Sequence, residues 1–260
     1  MLRLHAAVLA QAVLILCLAS AAAEEAPLAL SEPTPGVNEI VERMQQHDAR
    51  QMKALKHYQA IRHYQVQYAG AGISIAGKMD VEIIFDSASG KSFRILSQSG
   101  SKLLCDKVLK RAVESEQEAS QSKVPTGLTP ANYHFELLGT EPLNGRLTYV
   151  LKVNPWHESK FLYRGKVWVD AKEFAVARVE AEPAKNPSIW ISRTLIEFTT
   201  SKTEGVWLPD KNRSESKIRI GGTAVLSIDY GAYRVALDES RQDTAKRPIR
   251  LDRAATEEAF

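Results

Sequence analysis

The sequence predicts an α+β protein that is mostly β: one long antiparallel meander, which must curl or be covered, and two amphipathic helices to cover it. Three observations carry this reading. Apolar and polar residues alternate with period two through most of the chain between Tyr58 and Val235. Two segments, Val37–Leu55 and Ser101–Gln121, break that alternation with helical spacing. Strands and helices do not alternate along the chain, which argues against a parallel sheet. An uncovered sheet of this length would leave one wide apolar face in water.

The elements follow in order. Residues 1–23 read as a secretory signal peptide, with Arg3, the apolar run Ala6–Leu18, and Ala21-Ala22-Ala23 before Glu24-Glu25. The run is shorter than the roughly 20 apolar residues of a membrane span. Leu16 stands where a lipoprotein signal needs a small residue before Cys17. The expectation is a secreted chain with no transmembrane span after signal cleavage. Residues 24–36, rich in proline, read as a flexible leader. Val37, Ile40, Val41, Met44, Met52 and Leu55 then form one helical stripe. Tyr64, Val66 and Tyr68 alternate with His63, Gln65 and Gln67 as a first strand, and Gly70–Gly77 reads as a small-residue connection. Met79, Val81, Ile83 and Phe85 mark the next strand, and Asp86–Gly90 turns into Lys91–Ser97. In the second helix Leu104, Val108 and Ala112 lie four apart, and Pro125, Gly127 and Pro130 end it.

The remainder reads as strands. Asn132–Thr140 and Arg146–Asn154 form a hairpin around Asn144-Gly145. Lys160–Asp170 and Phe174–Glu182 form another, broken at Asp170–Glu173. Ile191–Lys202, Val206–Ile220 and Thr223–Val235 follow. The folded domain is expected over 37–235 and a poorly ordered charged tail over 236–260.

Composition excludes more than it assigns. Without the signal, 33 basic residues face 31 acidic ones, and no basic run concentrates the charge, so no nucleic-acid partner is expected. Cys105 is then the one cysteine, which reads as a small buried helix residue and permits no internal disulfide. Gly70–Gly77 resembles a phosphate loop, but a strand follows it instead of a helix. There is no Gly-x-Ser-x-Gly elbow and no His-Glu-x-x-His or paired-cysteine spacing. Asp80 and Glu82 share a strand face and read as solvated. The expectation is no enzyme, no metal and no cofactor.

Apolar surface remains. Candidate ligand-binding residues on the helices are Val41, Met44, Met52, Leu104 and Val108. Those on the first strands are Tyr64, Phe85 and Phe93, and those further along are Tyr133, Phe135, Tyr149, Phe161 and Tyr163. Trp168, Phe174, Trp190 and Trp207 complete the set. Either they form ordinary core, or sheet and helices enclose an incompletely filled apolar cavity. Trp168 poses the question sharply, because it shares a face with Arg164, Lys166 and Asp170 while Tyr163, Val167 and Val169 take the other.

Four stretches carry a family resemblance: LTPANYHFELLG at 128–139, Gly165–Asp170 within the Tyr163–Asp170 strand, Phe174-x-Val176-x-Arg178, and Gly205-Val206-Trp207-Leu208-Pro209. With the order of helices and strands over 37–235, the chain resembles the periplasmic lipoprotein-sorting carrier and receptor superfamily (LolA/LolB/RseB-like). Within it, the likeness is to secreted bacterial outer membrane lipoprotein-sorting proteins. The resemblance implies an unclosed antiparallel β-barrel with helices covering its concave face, and a periplasmic location. It implies a non-catalytic carrier of lipid or of lipoprotein acyl chains, or alternatively an envelope regulator or scaffold that binds a protein partner. Carriers of this kind tie down a closed lid with a concave arginine. No motif assigns that role to Arg62, Arg94 or another arginine.

Overall fold

The computed structural model describes residues 34–121, 126–186 and 188–238. The expected signal peptide, most of the leader and nearly all of the charged tail lie outside the described residues. An 11-stranded antiparallel sheet takes the order β3-β2-β1-β10-β9-β8-β7-β6-β5-β4, with β11 also pairing β1. Here β1 is Leu55–Gly70, β2 Ile73–Asp86 and β3 Gly90–Gly100. The second run comprises β4 (Tyr133–Leu143), β5 (Arg146–Pro155), β6 (Tyr163–Asp170) and β7 (Val176–Pro183). It closes with β8 (Ile191–Thr203), β9 (Val206–Ile218), β10 (Thr223–Asp229) and β11 (Tyr233–Leu237). Strands β3 and β4 end the run and do not pair with each other among the described residues, so the barrel is unclosed.

One face of this sheet is apolar along most of its width. The pairing registers align Leu137, Leu151, Val167, Val179 and Phe198 across β4–β8. The row continues through Asn212, Ile228, Tyr64 and Met79 across β9, β10, β1 and β2. Each strand shows only ordinary alternation, and the row exists only through pairing.

Topology then dictates what covers this face. The chain leaves β3 at one edge and re-enters at β4 on the other, so the connection must cross the sheet. The crossing segment is helical: α2 (Lys102–Leu104), a π-helical turn (Cys105–Leu109) and α3 (Lys110–Gln121). Ser101 caps it, its hydroxyl accepting from the Leu104 N–H. The π turn shifts the apolar phase by one residue. Leu109 and Val113 are therefore fully buried, while Val108 and Ala112, the positions expected from strict fourfold spacing, are only partly so. The other cover is α1 (Val37–Ala54), which buries Ile40, Val41 and Met44.

Two separate cores result. Under α2–α3, Leu104, Cys105, Leu109 and Val113 meet Tyr58, Tyr64, Val66, Met79, Val81 and Ile83. Under α1, Ile40, Val41 and Met44 meet Tyr133, Leu151, Val153, Val167, Val169 and Val179. Between them the inner faces of β8–β10 form a half-buried strip with Ile196, Phe198, Leu226 and Ile228.

Several boundaries differ from expectation for visible reasons. Leu55 joins β1 and the α2–α3 core instead of the α1 stripe, and α1 passes into β1 with no loop. The turn in the glycine-rich stretch shrinks to Ala71-Gly72, because Ile73–Ala76 pair with Gln67–Gly70. The last expected strand splits into β10 and β11, both on β1, and pairing continues past 235 to Leu237. Asn144-Gly145 makes the two-residue turn, both residues at positive φ.

Gly165, in the Tyr163–Asp170 stretch, faces the inner side, and a Cβ built on it would lie 2.1 Å from the Glu180 carbonyl oxygen. Since that atom is backbone, it cannot rotate away. Gly165→Ala is expected to destabilise the protein by about 2 kcal/mol or more, and Gly127→Ala, with room at 3.6 Å, by far less. Urea unfolding midpoints check the contrast.

Candidate functional site

The inner face contains one buried cation. Arg62 lies on β1 in the same alternating series as Tyr58, Ala60, Tyr64 and Val66, and is 1 % exposed. Its Nη1 donates to Glu116 Oε2 of α3 at 2.5 Å, and Lys91 Nζ of β3 donates to the other carboxylate oxygen at 3.2 Å. The guanidinium stacks on the Tyr230 ring at 4.5 Å. Burial, the largest influence, pushes the Arg62 pKa down, but the Glu116 charge and hydrogen bond together with Tyr230 and Tyr64 more than offset it, and the guanidinium stays protonated. Burial would likewise raise Glu116, yet Arg62 and Lys91 hold it below its ordinary 4.5. Arg62 Nε and the Tyr233 hydroxyl have no hydrogen-bond partner. The ion pair ties α3 to the sheet. At its far end α3 reaches the β5–β6 segment, where Lys160 Nζ donates to Glu118 at 2.6 Å.

The α1 helix is held differently. The Gln51 side-chain amide donates to the Trp207 carbonyl at 2.8 Å and accepts from the Trp207 N–H at 2.7 Å, as a neighbouring strand would. Arg43 lies over the Phe174 ring at 4.9 Å. Beside α1, a cavity of about 400 Å³ opens at the β4 edge, bordered by Val37, Val41, Tyr133, Phe135 and Trp156. The Tyr133 hydroxyl accepts from the Tyr163 N–H at 3.3 Å inside this half, and burial pushes both phenols above their ordinary range.

The candidate ligand residues therefore fall into two groups. Tyr64, Phe85, Phe93, Leu104 and Val108 belong to the α2–α3 core. Val41, Met44, Tyr133, Phe135, Tyr149, Tyr163 and Phe174 belong to the α1 core. Over both patches the space expected as an open cavity is filled by these side chains. Three of them, Val41, Tyr133 and Phe135, border the open seam.

Five stand elsewhere. Met52 and Trp190 are largely exposed. Phe161 sits in the β5–β6 segment under the Lys160 ammonium. Trp207 lies on the strand face opposite Val206 and Leu208, against Arg146 and Glu173. Trp168 lies on the outer face with no guest to meet. Its indole N–H donates to Glu141 at 2.9 Å and Arg178 stacks on its ring. The outer face thus covers its own tryptophan, because the flanking long polar side chains carry apolar stems. Of the arginines that no motif could single out, Arg62 is the one that lies buried in an apolar series. Glu116, Lys91 and Gln51 carried no such signal.

No protein-family model and no curated protein matches the chain. Among solved structures it is similar to a DUF1329 family protein from Desulfovibrio piger, at 14% identity over 81% of this chain and 97% of that one, TM-score 0.42. It is also similar to an outer membrane lipoprotein-sorting protein domain from Vibrio parahaemolyticus, at 14% identity over 82% and 100%, TM-score 0.40. A third is a LolA superfamily protein from Nitrosomonas europaea, at 14% identity over 78% and 94%, TM-score 0.36. Among the described residues no helix is long and apolar enough to cross a membrane.

Two outcomes are expected for the latch. Glu116→Gln leaves Arg62 buried and uncompensated and should cost about 3 kcal/mol, whereas Glu116→Gln combined with Arg62→Met should return to within about 1 kcal/mol of wild type. A double-mutant cycle by denaturant unfolding measures both. Because the Glu116 pKa is depressed on folding, its contribution is present above 4.5 and is lost as pH falls through the lowered value. Dye binding to newly exposed apolar surface should rise in the wild type below pH 4.5. In Glu116→Gln it should already be high at neutral pH.

Proposed function

We propose that the protein is a periplasmic, non-catalytic carrier whose domain, residues 37–235, binds lipid or the acyl chains of lipoproteins between the sheet and its helices. The observation that carries this reading is the largely apolar seam of about 400 Å³ between α1 and β4, beside the apolar row that Leu137, Leu151 and Val167 begin on the inner face. Its volume falls in the range of small-molecule sites. Val37, Val41, Pro130, Tyr133, Phe135 and Trp156 supply the aliphatic and aromatic surface an acyl chain requires, while Asn38, Glu42, Gln45 and His134 also border it. Each methylene buried there contributes about 0.8 kcal/mol. A longer guest needs more room, and the ionic latch of α3 fits a lid that lifts to expose Tyr64, Val66 and the β8–β10 strip. The neutral Gln51 clasp suits α1 to remain as the fixed wall.

A second reading rests on the free edges. Both β3 and β4 present unpaired backbone groups, and an envelope protein could add a strand there. Each edge carries a bulge, at Leu96 and at Leu138, which limits such pairing.

Organic extraction of the exported protein followed by mass spectrometry tests the carrier reading. Bound phospholipid or acyl chains are expected in the wild type. The load should rise in Glu116→Gln and fall in Val37→Trp, which fills the seam. A lipid-free extract from wild type and Glu116→Gln alike would refute the carrier reading and favour the edge-binding one.

A further inference from the structure

Three turns meet at the end of the sheet where β1, β7 and β9 finish: Ala71-Gly72, the β7–β8 connection and the β9–β10 turn. Their backbones touch. The Arg219 N–H donates to the Trp190 carbonyl at 2.8 Å, and the Tyr68 hydroxyl donates to the Gly221 carbonyl at 3.1 Å. A Cβ on Gly70 would lie 2.6 Å from Gly222 Cα, so only glycines allow this approach. From this joined tip stand Ile73, Ile189, Trp190 and Ile220, exposed by 57, 79, 58 and 76 %. Single exposed apolar residues are ordinary, but four on touching turns form a patch that needs an explanation.

The charges beside the patch are of one sign. Lys185, Lys217 and Arg219 are exposed on the same turns. The acids nearest in sequence are already engaged, Glu182 by Arg193 and Glu215 by Arg213. We infer that this tip docks on the surface of an anionic phospholipid bilayer. Isoleucine and tryptophan side chains standing out from turn tips suit a fluid interface. Tryptophan sits well at headgroup depth, and free cations beside it attract anionic headgroups. The inference does not depend on the carrier reading, because docking is measured without cargo. If both hold, docking brings the Ser101 end of the lid helix, which leaves β3 at this same end of the sheet, next to the bilayer.

The test is sedimentation of the exported protein with vesicles of phosphatidylcholine, with and without about one-third phosphatidylglycerol. Wild type should bind the anionic vesicles. Trp190→Ser with Ile220→Ser should bind at least about tenfold more weakly, and Ile73→Ser provides an independent check should that pair perturb the turns. Reversing Lys185, Lys217 and Arg219 to Glu should lower affinity for the anionic vesicles by about fivefold or more per residue and abolish the preference for them. Brominated lipids should quench wild-type fluorescence more than that of Trp190→Phe. Equal binding by wild type and the patch variants, or no binding by wild type, overturns the inference. So does a concentration-dependent dimer that the patch substitutions abolish while vesicle binding is unchanged, since the patch would then be a self-association surface.

Discussion

A positive charge placed on an apolar sheet face constrains much of this molecule. Arg62 cannot be buried alone, because an uncompensated guanidinium in such surroundings costs several kcal/mol. Something carrying a carboxylate must cover it. The topology already requires the chain to cross the inner face between β3 and β4, and Glu116 lies on that crossing helix. The ion pair and the apolar side chains of the crossing helix together set where it lies on the sheet.

The two covers are held by different physics. The α1 helix rests on a core of aliphatic side chains and on two neutral hydrogen bonds from Gln51, neither of which titrates. The α2–α3 helix adds to its apolar core an ion pair with unsatisfied donors beside it. Burying a charge pair contributes little net stability compared with apolar packing of the same volume, but it specifies one arrangement and is sensitive to its surroundings. A sheet covered throughout by aliphatic packing would be a closed core. This one has a cover held by neutral contacts, a cover held in part by an ion pair, and a half-buried strip between them.

Much of the fold was legible because period-two alternation and helical stripes are local. The two covering helices, the hairpin at Asn144-Gly145 and the apolar parity of the strands all follow from neighbouring residues. Three features were not local. The apolar row from Leu137 to Met79 depends on registers between strands far apart in sequence. The phase of the second helix was misjudged because a π turn at Cys105–Leu109 moves burial from Val108 and Ala112 to Leu109 and Val113. Alternation puts Trp168 opposite Val167 but does not say which face is concave, and a polar outer surface able to shelter an indole through Arg178 and Glu141 is not visible from one strand. At the site, aromatic residues identified the inner face in general, while the residues that hold it shut are polar and isolated in sequence.

The central claim is that α3 is a lid and not a fixed part of the core. Spin labels at Arg111 on the exposed side of α3 and at Ser92 on β3 would report it through their distance distribution. The account predicts one short distance for the wild type at neutral pH, and a second, longer population once Glu116 is replaced by Gln or a fatty acid is added. A single unchanged distance under all three conditions would contradict it.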